Sequence, residues 1–336
     1  MPEPKKFADA ITADHKVLNE DDASRQCDRV ALVVLDRFTR WLQAYASASK
    51  SAKESSIALK RFVGPQLTPE HIYTDNSGEL VKAIKRLGWS HDTSTPHRPQ
   101  TDGVVERCVR ILKEGTACAL VQSGLSGKWW PEAMNCFLFL RNATVMLEDG
   151  NTAYRNRFKA DFKGPKIPFG ALVHYLPITQ KDKKRTHAFG SKLLTGIFLG
   201  YCQIAGGGWN GDLYVADWES LKEATDVKDF PIKRFKHKEV TPIKDGETFR
   251  FPAAEFRDQY AGELPPSDTR PIASDVPNPF DGDSSAPTSG ALGDGEPAEG
   301  EQEDIEDEKK TDPDMPRGSG SDRKSTRLNS SHANIS

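Results

Sequence analysis

"TPHRPQTDGVVERCVRILKEG", Thr95–Gly115, changes texture in its middle, and that change decides how the rest of the chain reads. Pro96 and Pro99 bias the residues before them away from helix, so His97 and Arg98 read as loop and Asp102 is placed to cap a helix starting just after it. Val104, Val105, Cys108, Ile111, Leu112 and Leu120 then recur at three-to-four spacing, the mark of an amphipathic helix with one buried stripe. Glu106, Arg110 and Lys113 fall together on another face. Taken alone, a carboxylate and two cations so spaced describe a solvated helix face. A second acidic stretch, "HIYTDNSGEL", gives them another meaning, because its apolar strand ends at Asp75, 31 positions before Glu106.

Working outward, Phe7–Val17 alternates weakly and carries Asp9, Asp14 and His15, and "RVALVVLDRF" (Arg29–Phe38) and "WLQAYAS" (Trp41–Ser47) read as an antiparallel strand pair. Ser51 and Glu54 form a capping-box pattern ahead of a helix that Gly64 and Pro65 end. "HIYTD" is a strand again and "SGELVKAIKRLG" a helix closed by Gly88. Three strands, a helix, a strand, a helix, a strand and the Glu106 helix imply a mixed α/β sheet with helices on its faces. Lys128–Leu147 is apolar nearly all round, which predicts a buried helix in which Trp129 and Trp130 are core side chains rather than a base-stacking platform. Beyond "FKGPKIPFG" the runs "ALVHYLPI", "SKLLTGIFLGY" and "GDLYVADWES" predict a small all-β barrel over residues 165–250. Its basic loop, Thr179–His187, suits either phosphate contact or plain solubility.

The chain has 336 residues and a formal net charge of −3, but residues 258–321 hold 17 acidic and 4 basic side chains. Residues 1–257 are therefore net positive, by +8, which suits a polyanionic partner. From Ala254 to Ser321 the composition is too poor in apolar residues to bury a core, so this stretch reads as a disordered acidic tail. Residues 322–336, "DRKSTRLNSSHANIS", read as translation through a sequencing adapter and carry no function. The 5 cysteines show no metal-binding or disulfide spacing, and no run of 18 apolar residues or signal-peptide pattern occurs. A soluble, intracellular protein with mostly core thiols is expected. Met1 lies so close to the first strand that a piece of a longer chain is expected.

"LDRFTRW", "YTDNSGEL" and "TSTPHRPQTDGVVER" resemble, over residues 7–150, the integrase catalytic core of long-terminal-repeat retrotransposons, within that group the copia-like elements of retrovirus-related Pol polyproteins. "KLLTGIFLGY" and the strands after it resemble the SH3-like barrel that follows that core. The resemblance implies a ribonuclease-H-like mixed five-stranded sheet flanked by helices, DNA integration by 3′-end processing and strand transfer, and a metal-binding triad of two aspartates and one glutamate. The motif residues that carry it over are Asp75 and Glu106, while Asp14 and Asp9 compete for the first aspartate. Asp14 lies 22 positions before Asp36 and Asp9 lies 27, and the family spacing favours Asp14. The resemblance further implies two Mg²⁺ or Mn²⁺ ions, element-end and target DNA as partners, a homo-oligomer, no membrane, and work in the nucleus after passage through a cytoplasmic particle. Arg107, Arg110 and Lys113 become candidates for DNA phosphates, and Gln100 and Asn76 for the active-site loop, with Asn76 equally suited to cap a helix. His15 reads as structural and Asp36 as turn-forming. A DNA-binding module without catalysis is the alternative. A ribonuclease-H-like nuclease is the other, which "PQTDGVVER" argues against.

Overall fold

The structure is a computed structural model that describes residues 3–93 and 99–259. Three antiparallel strands open it, β1 (Ala10–Val17), β2 (Val30–Asp36) and β3 (Leu42–Ser47), followed by α1 (Ala52–Val63). β4 (His71–Thr74), α2 (Gly78–Leu87) and β5 (His91–Thr93) come next, then the long α3 (Pro99–Ser123). β4 lies parallel to β1 and β5 parallel to β4, so the sheet runs β3-β2-β1-β4-β5. This is the mixed five-stranded sheet flanked by helices that the sequence implies.

Two apolar layers hold it. Every residue of β2 is buried, as a central strand covered on both faces requires. Leu32 and Val34 join Ile11 of β1 and Ile72 of β4 beneath Leu59 and Phe62 of α1 and Leu80 and Ile84 of α2. Ala31, Val33 and Leu35 face the other way, into a layer with Cys108 and Leu112 of α3. α1 starts as its sequence predicts: Ser51 Oγ accepts the Glu54 N–H at 3.2 Å and donates to the Glu54 carboxylate at 3.1 Å. Gly64 ends that helix, at φ 93°.

A 3₁₀ turn at Gly127–Trp129 leads into α4 (Trp130–Thr144), and the helix explains its own apolarity. One side, with Trp130, Met134 and Leu138, completes the layer under α3. The other, with Ala133, Cys136, Phe139 and Ala143, packs with Trp129 into a different core built on a second sheet. Gly115 lets α3 approach α4, since a Cβ there would stand 1.9 Å from the Phe137 ring. Asn142 is fully buried and bonds both backbone groups of Leu42, donating to its carbonyl at 2.7 Å and accepting its N–H at 3.2 Å. It supplies edge strand β3 with the partner that a sixth strand would give.

After α5 (Ala153–Phe158) the second sheet follows, with β6 (Leu172–Tyr175), α6 (Gln180–Lys183), β7 (Leu194–Gln203), β8 (Trp209–Asp217), α7 (Trp218–Glu223), β9 (Lys233–Lys236) and β10 (Val240–Pro242). It is antiparallel throughout, in the order β10-β6-β7-β8-β9. Asp182 of α6 is buried and holds Lys233 at 2.8 Å, while Arg185 bonds Asp217 at 2.8 Å, so part of the basic Thr179–His187 loop is tied to the sheet.

Two expectations need correction. α3 begins at Pro99, so Asp102 lies inside the helix rather than capping it; proline is tolerated in a first turn, where its missing N–H would bond nothing. Residues 94–98 and the side chains of Gln100 and Asp102 lie outside the described residues. The stretch read as tail from Ala254 starts with helix, because a two-residue hairpin, β11 (Lys244–Asp245) and β12 (Thr248–Phe249), leads into α8 (Pro252–Gln259). α8 docks where Gly124 ends α3 at φ 75°: a Cβ on Gly124 would lie 2.2 Å from the Ala254 backbone nitrogen. Residues 260–336 lie outside the described residues.

Candidate active site

β1 and β4 run parallel with Ala10 abreast of His71 and Ala13 abreast of Thr74. The next residue along each chain is Asp14 in β1 and Asp75 just past β4, so both lie at the same end of this strand pair. Asp14 also pairs across β2 with Val33, which lies in the layer under α3, whereas its neighbour Ala13 lies in the layer under α1 and α2. Alternation thus turns Asp14 to the α3 face of the sheet. Its Oδ1 accepts the His15 N–H at 2.6 Å. Asp75 leaves the strand exposed and accepts the Ser77 N–H at 3.3 Å, at the start of α2. Asp9 stands at the other end of β1, where its Oδ2 accepts the Lys5 and Lys6 N–H groups at 2.9 and 3.0 Å. Its backbone carbonyl takes the His71 N–H. The register therefore separates Asp9 from Asp75 by the length of β4.

Two imidazoles stand near this strand end. His15 turns from the α3 face and bonds Ser55 Oγ of α1 through Nε2 at 2.9 Å. Burial, with Lys50 nearby, lowers its pKa to about 4 against the opposing pull of Asp75 and Glu79. His91 Nε2 bonds Thr74 Oγ1 at 2.9 Å, and burial again lowers its pKa although Asp92 and Asp75 raise it. At neutral pH His15 is uncharged, so it does not neutralise the aspartates. Lys50 lies 4.0 Å from Glu79. Sequence reasoning does not single out Lys50 and His91, because they reach the site only through β-strand pairing and loop closure.

Glu106 is exposed on α3, and so are Arg107, Arg110 and Lys113. The helix rests on β2 through Cys108 and Leu112, so Glu106 rides on the element that covers the Asp14 face. Among the described residues, no group of three or more His, Cys, Asp or Glu side chains is close enough to hold a metal ion. Asp14 and Asp75 therefore lie at one end of neighbouring strands and Glu106 on the helix over that face, without forming such a group. Asn76 is exposed, and the N-cap of α2 is Ser77 rather than Asn76. Asp36 is fully buried and takes the Ala8 N–H at 2.9 Å and the Thr39 N–H and hydroxyl at 2.8 and 2.6 Å, a structural turn as expected. Trp129 and Trp130 are core. All five cysteines are unpaired, three of them buried. Among the described residues, no helix is long and apolar enough to cross a membrane.

No protein-family model matches the sequence. Among solved structures, the catalytic core domain of BIV integrase aligns with 44% of this chain and 92% of its own, at 21% identity and a TM-score of 0.34. The HTLV-2 integrase catalytic core domain in complex with magnesium aligns with 45% of this chain and 97% of its own, at 18% identity and a TM-score of 0.35. Two Arabidopsis thaliana proteins, the retrovirus-related Pol polyproteins from transposons RE2 and RE1, are each 31% identical over 120 residues, 34% of this chain. The chain spans 8% of the length of each of these relatives. The Pol polyprotein of feline endogenous virus ECE1 is 28% identical over 129 residues, 37% of this chain and 12% of its own. Over the matched segment this chain is a homologue of retrovirus-related Pol polyproteins encoded by transposons.

Proposed function

We propose that this chain is the core of a retrotransposon integrase, which processes DNA 3′ ends and transfers them to target DNA, with Asp14, Asp75 and Glu106 as the acidic triad. The observation that supports the reading is the parallel register of β1 and β4, which ends one residue before Asp14 and Asp75, next to a His15 whose pKa burial lowers. The donor set fits a hard divalent cation, since Mg²⁺ takes one or two carboxylates and completes its shell with water and phosphate oxygens. Asp14, Asp75 and Glu106 are the residues that would hold such ions. Such ions favour an in-line attack on phosphorus by lowering the charge on the attacking and leaving oxygens. The protein's own part is to orient the strand. Arg107, Arg110 and Lys113 are placed to take backbone phosphates, which positions DNA without reading its sequence. Gln100 and Asn76 would border the same site. The working form in this reading is a homo-oligomer on element ends and target DNA, acting in the nucleus.

Glu106→Gln tests the reading. Joining of a labelled element-end duplex to target DNA should fall at least 100-fold in Mg²⁺ or Mn²⁺, the order set by loss of one charge-stabilising group. DNA affinity should stay within about twofold, since one exposed carboxylate adds little to phosphate binding. Unchanged joining by the variant refutes the triad, and cleavage without joined product by the wild type points to a nuclease instead.

A further inference from the structure

A cavity of about 430 Å³ opens between α3, the start of α4 and the loop after β1. None of Asp14, Asp75 and Glu106 lines it, and of the residues assigned to DNA only Lys113 does. Its volume lies in the range of small-molecule sites. The walls are largely apolar, with Leu112, Leu120 and Met134 beside the Trp130 ring. Two wall residues keep a polar atom without a partner among the described residues: the Trp130 indole N–H and the Thr116 hydroxyl, each on a side chain only 7% exposed. Such orphaned groups cost about 1–3 kcal/mol each, and both atoms lie shielded from solvent just behind the cavity wall. At the rim stand Lys16, Lys113 and Lys128, none of them in an ion pair among the described residues although Asp21 and Asp22 share the rim.

We propose that this cavity binds a small amphiphilic anion, a flat apolar body seated against Trp130 with an acidic group among the three lysines. An apolar wall without charge would suit a neutral hydrophobe, and a charged rim without the wall would suit any counter-ion. The combination selects a molecule carrying both parts. One hydrogen-bond acceptor on the flat body would answer the indole N–H or the hydroxyl after a small side-chain adjustment.

The probe is 8-anilinonaphthalene-1-sulfonate, titrated by fluorescence into the full chain, with its uncharged analogue N-phenyl-1-naphthylamine as the second arm. One saturable site for the sulfonate is expected, and at least threefold weaker binding of the neutral analogue. Ala117→Phe, which puts a ring into the cavity, should abolish that site. Lys128→Glu, at an exposed rim position, should weaken the sulfonate about threefold or more while leaving the neutral analogue unchanged, on the scale of an exposed ion pair. Near-ultraviolet circular dichroism establishes that each variant is folded. If Ala117→Phe does not fold, Lys128→Glu decides alone. Absence of a saturable site, equal affinity for both probes, or undiminished sulfonate binding in a folded Ala117→Phe or Lys128→Glu protein overturns the proposal.

Discussion

Asp14→Asn and Asp9→Asn separate the two aspartates that compete as the first acid, and they do so without any DNA. Asp14 stands one step past the Ala13–Thr74 pair, as Asp75 does on the neighbouring chain segment. Two carboxylates about 6 Å apart repel by about 0.7 kcal/mol in water and by about 3 kcal/mol at an effective dielectric of 20. Asp75 is exposed, so the low end applies. Asparagine keeps the acceptor that meets the His15 N–H and removes the negative charge. In EDTA, Asp14→Asn is thus relieved of about 0.5–1 kcal/mol of repulsion, roughly 1–4 °C in a thermal melt, and its own melt there is the metal-free reference. Asp9 has no such neighbour, and its carboxylate is bonded to two backbone N–H groups, so Asp9→Asn should be slightly destabilised. The response to Mn²⁺ or Mg²⁺ separates the two variants. An ion present at 100 times its dissociation constant adds about 2.7 kcal/mol to a protein that binds it only when folded. Wild type and Asp9→Asn should gain a metal-dependent rise in melting temperature, and Asp14→Asn should lose most of it. The opposite pattern, with the metal response erased at Asp9 and kept at Asp14, refutes the argument from register.

Lys113→Gln should weaken DNA binding by a similar factor whatever the sequence and make the slope of log affinity against log salt shallower by about one, read by fluorescence anisotropy at several salt concentrations. A slope equal to wild type would remove Lys113 from the phosphate contacts. His15 carries a pH signature. Its pKa is lowered from 6.5 to about 4 in the folded protein, so between those values the unfolded chain holds a proton that the folded chain does not. Stability should therefore be full above pH 6.5 and fall by about 1–2 kcal/mol as the pH drops toward 4, after allowance for screening. His15→Gln, followed by urea denaturation, should flatten that part of the profile, and an unaltered profile would show that the loss arises elsewhere.

Periodicity makes most elements of the first sheet legible, because β1 to β4 and α1 to α3 carry their apolar side chains where they are buried. It cannot yield the pairing. Nothing in "ADAITADHKV" says that Ala13 meets Thr74, and only that register decides which aspartate neighbours Asp75. Asp75 and Glu106 are legible because they sit in motifs, whereas His91 and Lys50 are not, since each comes to the strand end through folding alone. The start of α3 is misplaced from sequence because an Asp-Gly pair is a stronger local cap signal than a proline, and Pro99 wins only once the helix is seen to continue through Gly103. α8 escapes a sequence reading because its acidic, alanine-rich stretch looks like the tail it precedes; its stability comes from Phe251 and Ala253 packing on a core assembled far upstream.

α4 sets a limit on how the chain can be divided. Its apolarity is legible, but its reason is not, because a buried helix in one domain and a helix shared by two sheets have the same sequence texture. Phe139 stacks on Tyr201 of β7 with ring centroids 4.4 Å apart, and Trp129 meets Phe230 at 6.2 Å. A chain cut after Gly150 keeps every strand of the first sheet but uncovers Trp129, Ala133, Cys136, Phe139 and Ala143. At about 2–3 kcal/mol for each large side chain and less for the small ones, that exposure forfeits roughly 6–10 kcal/mol. The loss is as large as the whole stability of an ordinary domain, about 5–15 kcal/mol. Residues 1–150 alone should therefore aggregate or unfold, whereas residues 1–259 should give a cooperative melt and a monodisperse peak by size exclusion. A well-folded 1–150 fragment with the same urea midpoint as the longer chain would show that the second sheet contributes nothing to the first. The α4 core would then be a contact that forms only after each part has folded.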